Sequence, residues 1–410
     1  MDILTIIYLI YTFVALYFLF LFGLIYIQNR KEMFSYPKTK KLYTLSIVVP
    51  CYNEEKDIGG TIQTLVDSDY KGLKKIFVVD DRSTDNSFKI IKEYAKKYPS
   101  KVVALQTPKN TGRASGSKNY GVKFVKTELV GFTDADSYLQ KDAIKKMVGF
   151  FDDEKTAAVT SSILVKKRNK FIERLQSIEY KIILFTRKLL GFVDAIYVTP
   201  GPLAIYRKKM FDEVGGFDES NLTEDIEITW NFVSLGYNVK MSLPAKVYTV
   251  APDKWKGWFS QRLRWNVGGI QTMNKYKKSF FKLGMLGSFI VPFFVFSWIL
   301  GIVGIFILGY RVFRNLIINY LSTTYSVQSQ TAILALRDLS LTPSILIFFG
   351  VAIFVLSLSF TLLALAYSRE KDFKSHGLFS LMSYMFIYLL AYPFLLIFSL
   401  YKFFKGKATW

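Results

Sequence analysis

Four stretches of this chain carry no charged side chain for at least 25 residues each: Ile3–Ile27, Leu283–Tyr310, Leu339–Ser368 and Gly377–Tyr401. A helix needs about 20 apolar residues to cross the hydrocarbon of a bilayer, so each run is long enough to span it. The runs divide the chain into an N-terminal transmembrane anchor (1–41), a polar middle region (42–275) and a C-terminal transmembrane region (276–410). The first run lacks a basic leader and exceeds the apolar core of a signal peptide, so it reads as an anchor. The spans contain no Asp, Glu, Lys, Arg or His, which argues against a transporter, whose ion and substrate paths need ionisable groups at depth.

The charge distribution orients the chain. Of 410 residues, 51% are hydrophobic and 21% charged, a mixture that suits a soluble part and a membrane part in one chain. The formal net charge is +22, and much of the basic excess flanks the spans: Arg30, Lys31, Lys38, Lys40 and Lys41 follow the first, and Lys275, Lys277, Lys278 and Lys282 precede the second. Lys and Arg mark the cytoplasmic side of a membrane, so 28–282 is expected in the cytoplasm of a multi-pass cell-membrane protein, beside anionic lipids. No nucleic-acid module accompanies the charge, so nucleic acid is not the expected partner. Four simple crossings would leave Lys402, Lys405 and Lys407 outside; a re-entrant last span or a local exception to the charge rule reconciles this. Cys51 is the one cysteine and reads as a small buried filler. No Cys/His cluster exists for structural zinc, and His376, the one histidine, reads as solvated.

Within 42–275, short apolar runs alternate with helical stretches. Leu45–Val49, Ile76–Val79, Val102–Leu105, Leu129–Phe132 and Ala157–Ser161 read as strands, and 58–68, 86–97, 113–125 and 141–151 as helices. That rhythm predicts a mainly parallel, doubly wound α/β sheet, whose ligands bind beyond the carboxyl ends of the strands. Phe171–Phe192 repeats apolar residues every three or four positions with Arg and Lys between. It fits an interfacial amphipathic helix and a helix packed on the sheet equally well. Lys166–Lys170 reads as a solvated or lipid-facing surface.

Acidic motifs fall at the strand ends. In DDRSTD (80–85), Asp80 and Asp81 are placed to accept hydrogen bonds from a base or ribose, while Asp85 reads as the cap of the next helix. In FTDADS (132–137), Asp134 and Asp136 are spaced to share a divalent cation with diphosphate oxygens. In NLTEDIEITW (221–230), Glu224 or Asp225 opens a helix. An acid there either complements the helix dipole or serves as a general base. QRLRW (261–265) supplies arginine for a diphosphate and tryptophan for a sugar face, or a basic-aromatic membrane anchor; spacing alone does not separate them.

Taken in order, Asp81, Asp134–Asp136, Thr223–Glu224–Asp225 and Gln261–Trp265 resemble the Asp, Asp-x-Asp, Thr-Glu-Asp and Gln-x-x-Arg-Trp set of the membrane-integrated family 2 glycosyltransferases. That family includes cellulose, chitin, hyaluronan and poly-N-acetylglucosamine synthases. VVPCYNEE (48–55), NTGRASGSKNYG (110–121) and TPGPLAIYR (199–207) with GGFDE (215–219) are similar to its nucleotide and acceptor segments.

The resemblance implies a GT-A domain between membrane helices and a metal-dependent, inverting hexosyltransferase with Mg2+ or Mn2+. It implies that Tyr52, Glu54, Asp81 and Lys118 serve the donor, expected to be a UDP-sugar. Asp134 and Arg264 would hold the diphosphate, and Asp136 with Asp134 the metal. Asp225, beside Glu224, would be the base, and Gln261 and Trp265 would line the acceptor end. The product would be a β-linked polymer, with a homo-oligomer as one arrangement. The alternative is a single transfer to a lipid or polyprenyl-linked acceptor. Processive relatives gate the donor site with a further cytoplasmic motif, and the short loop Arg369–His376 is the nearest counterpart.

Overall fold

The computed structural model describes residues 3–329, 345–368 and 377–406. The first half of the catalytic region follows the expected alternation. The strands are Leu45–Cys51 (β1), Leu73–Asp80 (β2), Val102–Gln106 (β3) and Leu129–Phe132 (β4), separated by helices Ile58–Val66 (α2), Ser87–Lys97 (α3) and Ala114–Val122 (α4), with Ile3–Asn29 (α1) ahead of them. Every residue of β1 and β4 is buried, as in a parallel sheet covered on both faces.

The second half departs from a simple parallel sheet. Ser137–Leu139 (β5), Thr156–Val165 (β6), Ala204–Arg207 (β7) and Asn238–Thr249 (β8) complete an eight-stranded sheet of order β3-β2-β1-β4-β7-β6-β8-β5. β1 pairs in parallel with β2 and β4, β2 with β3, and β6 with β8, whereas β7 runs antiparallel to both β4 and β6, and β5 antiparallel to β8. The expected helix over 141–151 shrinks to Lys145–Val148 (α5) with a 3-10 turn at Gly149–Asp152. Strands β5, β7 and β8 escape a periodicity reading because β5 and β7 are short and β8 mixes lysines with its apolar residues.

Phe171–Gly191 (α6) resolves as a packed helix. It lies between β6 and β8 on one side and the apolar helices on the other, with Ile178, Leu184, Phe185 and Leu189 buried. The Phe185 ring sits 5.9 Å from Tyr26 of α1 and 5.3 Å from Phe360. Lys208–Glu213 (α7), Glu224–Ser234 (α8) and Trp255–Tyr276 (α9) follow, then Val291–Ser329 (α10), Ile345–Tyr367 (α11), Gly377–Ser383 (α12) and Ala391–Phe404 (α13). Among the described residues, four helical segments are long and apolar enough to cross a membrane: Thr5–Asn29, Leu286–Ser329, Phe348–Tyr367 and Gly377–Phe404. Residues 339–344 of the third apolar run, the loop Arg369–His376 with its histidine, and Lys407 lie outside the described residues. One hydrophobic core runs from Val48 and Phe132 in the sheet through Phe185 to Phe22, Val291 and Ala364, so the catalytic region and the apolar helices are packed as one body.

Candidate active site

The site forms where β4 ends and α8 begins. Lys118 on α4, only 3% exposed, is its hub: its Nζ lies 2.8 Å from Glu224 Oε1 and 3.9 Å from Asp134 Oδ1. Asp134 follows the end of β4. Its side chain keeps 38% exposure, yet enough protein surrounds it to raise its pKa, with Lys118 opposing that rise and Glu224 adding to it. Glu224 titrates lower than an ordinary glutamate because Lys118 outweighs the cost of its burial. Asp225, next to it in the first turn of α8, is pushed up to about 6 by burial and then by the Glu224 charge, against the pull of Lys118 and Arg264. Two neighbouring carboxylates are thereby separated: one holds the lysine as an anion, and the other is poised as a proton acceptor near neutrality.

A second acidic group stands beside the first. Asp136 is half-buried and accepts hydrogen bonds from hydroxyls only, Ser137 Oγ at 3.4 Å and Thr249 Oγ1 at 3.3 Å. Burial, Asp134 and Glu54 push it up to about 7. Burial, Asp57 and Asp134 push Glu54 up to about 7 as well. Carboxylates crowded together in this way are the donor set a hard divalent ion seeks. Among the described residues no group of three or more His, Cys, Asp or Glu forms a ready-made cage. The fit is therefore to an ion that completes its shell with oxygens of a bound ligand.

Backbone geometry sets these positions. An added Cβ on Gly201 would lie 2.2 Å from Asp134 Oδ2, so only glycine lets the segment before β7 pass over that carboxylate. On the other side, a Cβ on Gly268 would lie 2.3 Å from Thr223 Oγ1, which lets α9 press against the Thr-Glu-Asp turn. That contact brings Arg264 to the site: its Nη1 donates to Leu222 O at 3.3 Å, and its charge lowers Asp134, Glu224 and Asp225.

The other anticipated residues are distributed unevenly. Tyr52 is 49% exposed on the loop after β1. Asp81 is buried, and its carboxylate accepts from Thr107 Oγ1 at 2.7 Å, Thr111 Oγ1 at 2.7 Å and Thr111 N at 3.0 Å, so in this structure it pins the 107–111 loop. Lys118 is buried against the acids, with its ammonium on Glu224. Asp85 accepts from Ser87 N at 2.9 Å ahead of α3, but Asn86 holds the N-cap position, so Asp85 sits one residue before the cap expected of it. Burial pushes the Cys51 thiol up to about 12, which leaves it an inert filler. Gln261 and Trp265 meet at Arg262: Gln261 Oε1 accepts from its Nη1, and its guanidinium lies 4.2 Å from the Trp265 ring centre.

Sequence reasoning passed over three groups. Arg262 is 1% exposed and pairs with Glu179 of α6. Tyr388 Oη donates to Glu179 Oε2 at 2.6 Å, and Tyr392 also bonds Glu179, so the last apolar helices reach the same carboxylate. Lys166, read as surface, lies 3.0 Å over the Tyr138 ring, whose hydroxyl donates to Asp57 at 2.6 Å beside the Glu54–Asp136 pair. Ionisable residues in mid-helix, Glu179 and Arg187 among them, were the available signal, since they interrupt the apolar rhythm of α6.

A GT-A-like sheet with acids gathered at its strand ends is the frame of a glycosyltransferase. Residues 46–215 match the family described as Glycosyl transferase family 2, so the chain carries a domain of that family. It is 28% identical over 314 residues to a Staphylococcus epidermidis protein named poly-beta-1,6-N-acetyl-D-glucosamine synthase, covering 76% of this chain and 74% of that one. It is 31% identical over 251 residues to a Bacillus subtilis (strain 168) protein named "Probable glycosyltransferase YdaM", covering 60% of this chain and 59% of that one. Its fold matches the mannosyltransferase PcManGT from Pyrobaculum calidifontis, solved in complex with GDP-Man and Mn2+, with a TM-score of 0.57 over 87% of this chain and 97% of that one at 17% identity.

Proposed function

We propose that this protein is a membrane polysaccharide synthase that transfers N-acetylglucosamine from UDP-N-acetylglucosamine to a growing β-1,6-linked chain, with inversion at the anomeric carbon. The observation that carries this is the separation of Glu224 and Asp225 within one helix turn, beside Asp134, in a chain matching a poly-β-1,6-N-acetylglucosamine synthase over three quarters of its length. The same relative favours a polymer over a single transfer to a lipid.

The residues suit a one-step displacement. Asp225 takes the proton of an acceptor hydroxyl, whose oxygen forms the new bond to the anomeric carbon. The bond from that carbon to the diphosphate breaks on the opposite face, and the electron pair leaves with the UDP. Arg264 balances the diphosphate charge, and Lys118 holds Glu224 and Asp134 in place. Asp134 and Asp136 would hold Mg2+ or Mn2+, which offsets charge on the departing diphosphate. Tyr52 and Glu54, on the loop at the end of β1, would face the nucleoside side of the donor, and Gln261 and Trp265 the acceptor. The basic flanks of the spans support a catalytic region in the cytoplasm against anionic lipid.

The test is detergent-purified protein with labelled UDP-sugars and Mn2+, its products sized by gel and by organic extraction. A high-mass ladder from UDP-N-acetylglucosamine is expected. A single organic-soluble product would overturn the polymer reading.

A further inference from the structure

The first two strands of the sheet end side by side: Cys51 of β1 pairs with Asp80 of β2, and Asp81 N donates to Cys51 O at 2.8 Å. Two residues beyond each end the chain turns through a left-handed residue, Asn53 at φ 55° after β1 and Arg82 at φ 63° after β2. Glycine is the usual occupant of such a position, and asparagine is among the few other residues that take it readily. A side chain kept there is held by its surroundings, and such residues gather at functional sites.

The bonds of Asn53 show what the side chain does that glycine could not. Its Oδ1 accepts from Thr84 N at 2.8 Å and from Thr84 Oγ1 at 3.2 Å, while its own N–H donates to Ser83 Oγ at 3.0 Å. Thr84 lies ahead of α3, whose N-cap is Asn86, so Asn53 is not serving as a helix cap. The bonds continue along the turn: Glu54 N donates to Ser87 Oγ at 2.8 Å and Glu55 N to Asp85 Oδ2 at 3.1 Å. The 80–87 loop is tied in turn to the loop after β3. Arg82 donates to Gln106 Oε1 at 3.2 Å and to Pro108 O at 2.7 Å, and Asp81 holds Thr107 and Thr111. Three loops at neighbouring strand ends are thus joined, and Asn53 joins the first to the second. It does so between Tyr52 and Glu54, the two residues of that loop assigned above to the nucleoside side of the donor.

We propose that Asn53 is a positioning residue for the nucleotide sugar: by locking its turn to the 80–87 loop, it sets Tyr52 and Glu54 against the nucleoside. This rests on the nucleotide-sugar reading above.

The experiment uses the full chain in detergent, with UDP and Mn2+ as the binding probe and UDP-N-acetylglucosamine as the donor. Asn53→Gly keeps the turn and removes the acceptor oxygen; Asn53→Ala removes the oxygen and disfavours the turn as well. The donor KM is expected to rise about fivefold in Asn53→Gly, the scale of a lost hydrogen bond, and further in Asn53→Ala. The Tm rise with UDP and Mn2+ shrinks in the same order, while kcat stays within about threefold of the wild type. Asn53→Asp, which offers Thr84 an oxygen and tolerates the turn, recovers most of the lost donor affinity. A merely structural asparagine would lower the Tm of the ligand-free protein and leave the donor KM where it was. If Asn53→Ala fails to fold, Asn53→Gly carries the comparison with the wild type. An unchanged donor KM in Asn53→Gly, in a protein whose wild type binds UDP and turns over the donor, overturns the positioning role alone. A wild type that neither gains Tm with UDP and Mn2+ nor consumes UDP-N-acetylglucosamine overturns the nucleotide-sugar reading, and the positioning role with it.

Discussion

Arg262 Nε donates to Glu179 Oε1 at 3.2 Å, and this buried ion pair joins α9, which carries the Gln-x-x-Arg-Trp residues, to α6. The same carboxylate accepts from Tyr388 and Tyr392, so it also fixes the α12–α13 segment to the catalytic region. Trp258 Nε1 donates to Tyr388 Oη at 2.5 Å and closes the network. Placement of Arg264 and Trp265 thus depends on a contact with helices more than a hundred residues away.

Removing one partner of that pair strands the other as a buried charge. Glu179→Gln is expected to destabilise the protein by about 3–5 kcal/mol, and Glu179→Gln with Arg262→Met by clearly less, because the apolar replacement removes the stranded charge. Thermal melts of both variants in one detergent check this. Equal losses would show that the pair is not a coupled unit.

As the proposed base, Asp225 is expected to set the acid limb of activity. Its pKa is raised to about 6, so it is protonated and unable to accept a proton below that pH, and kcat should rise with pH through an apparent value near 6. The same raised pKa makes the folded state bind its proton more tightly than the unfolded state. Its contribution to stability is therefore present at low pH and lost as pH rises through the folded value. Asp225→Asn should abolish transfer, keep the Tm rise with UDP and Mn2+, and melt no lower than the wild type at pH 8. Loss of that Tm rise would make Asp225 a ligand or a structural residue.

Gly201 tests the placement of Asp134. The methyl of Gly201→Ala would occupy the space of the Asp134 carboxylate. A displacement of about 1 Å in a reacting site costs on the order of 10²-fold in rate, and that loss in kcat/KM is expected with Tm nearly unchanged. Activity within threefold of the wild type would place Asp134 outside the reacting geometry.

Metal binding should follow the raised carboxylates. Asp136 and Glu54 each titrate at about 7, so Mn2+ must displace protons below that pH, and its apparent affinity should fall as pH drops from 8 to 6. Saturating Mn2+ with UDP at about 100 times Kd should stabilise the wild type by about 2.7 kcal/mol. Asp136→Asn should lose most of that gain, as read by differential scanning fluorimetry. An unchanged response would exclude Asp136 as a ligand.

The sequence by itself determined the apolar runs, the strands β1 to β4 with the helices between them, and the order of the acidic motifs, because each is written in local periodicity or in contiguous residues. Strand ends place Asp81 and Asp134 without knowledge of their neighbours. The antiparallel insertion of β7 between β4 and β6 was decided only in three dimensions, since a four-residue strand is held by its partners rather than by its own pattern. The same holds for the different fates of Glu224 and Asp225. Adjacent acids look alike in a sequence, and they titrate apart because Lys118, from another helix, reaches one of them. Arg187 and Glu179 read alike as interruptions of an apolar helix. Packing gave Glu179 a partner in Arg262 and left Arg187 Nε without an acceptor among the described residues, because burial and charge compensation are properties of surroundings assembled from distant segments.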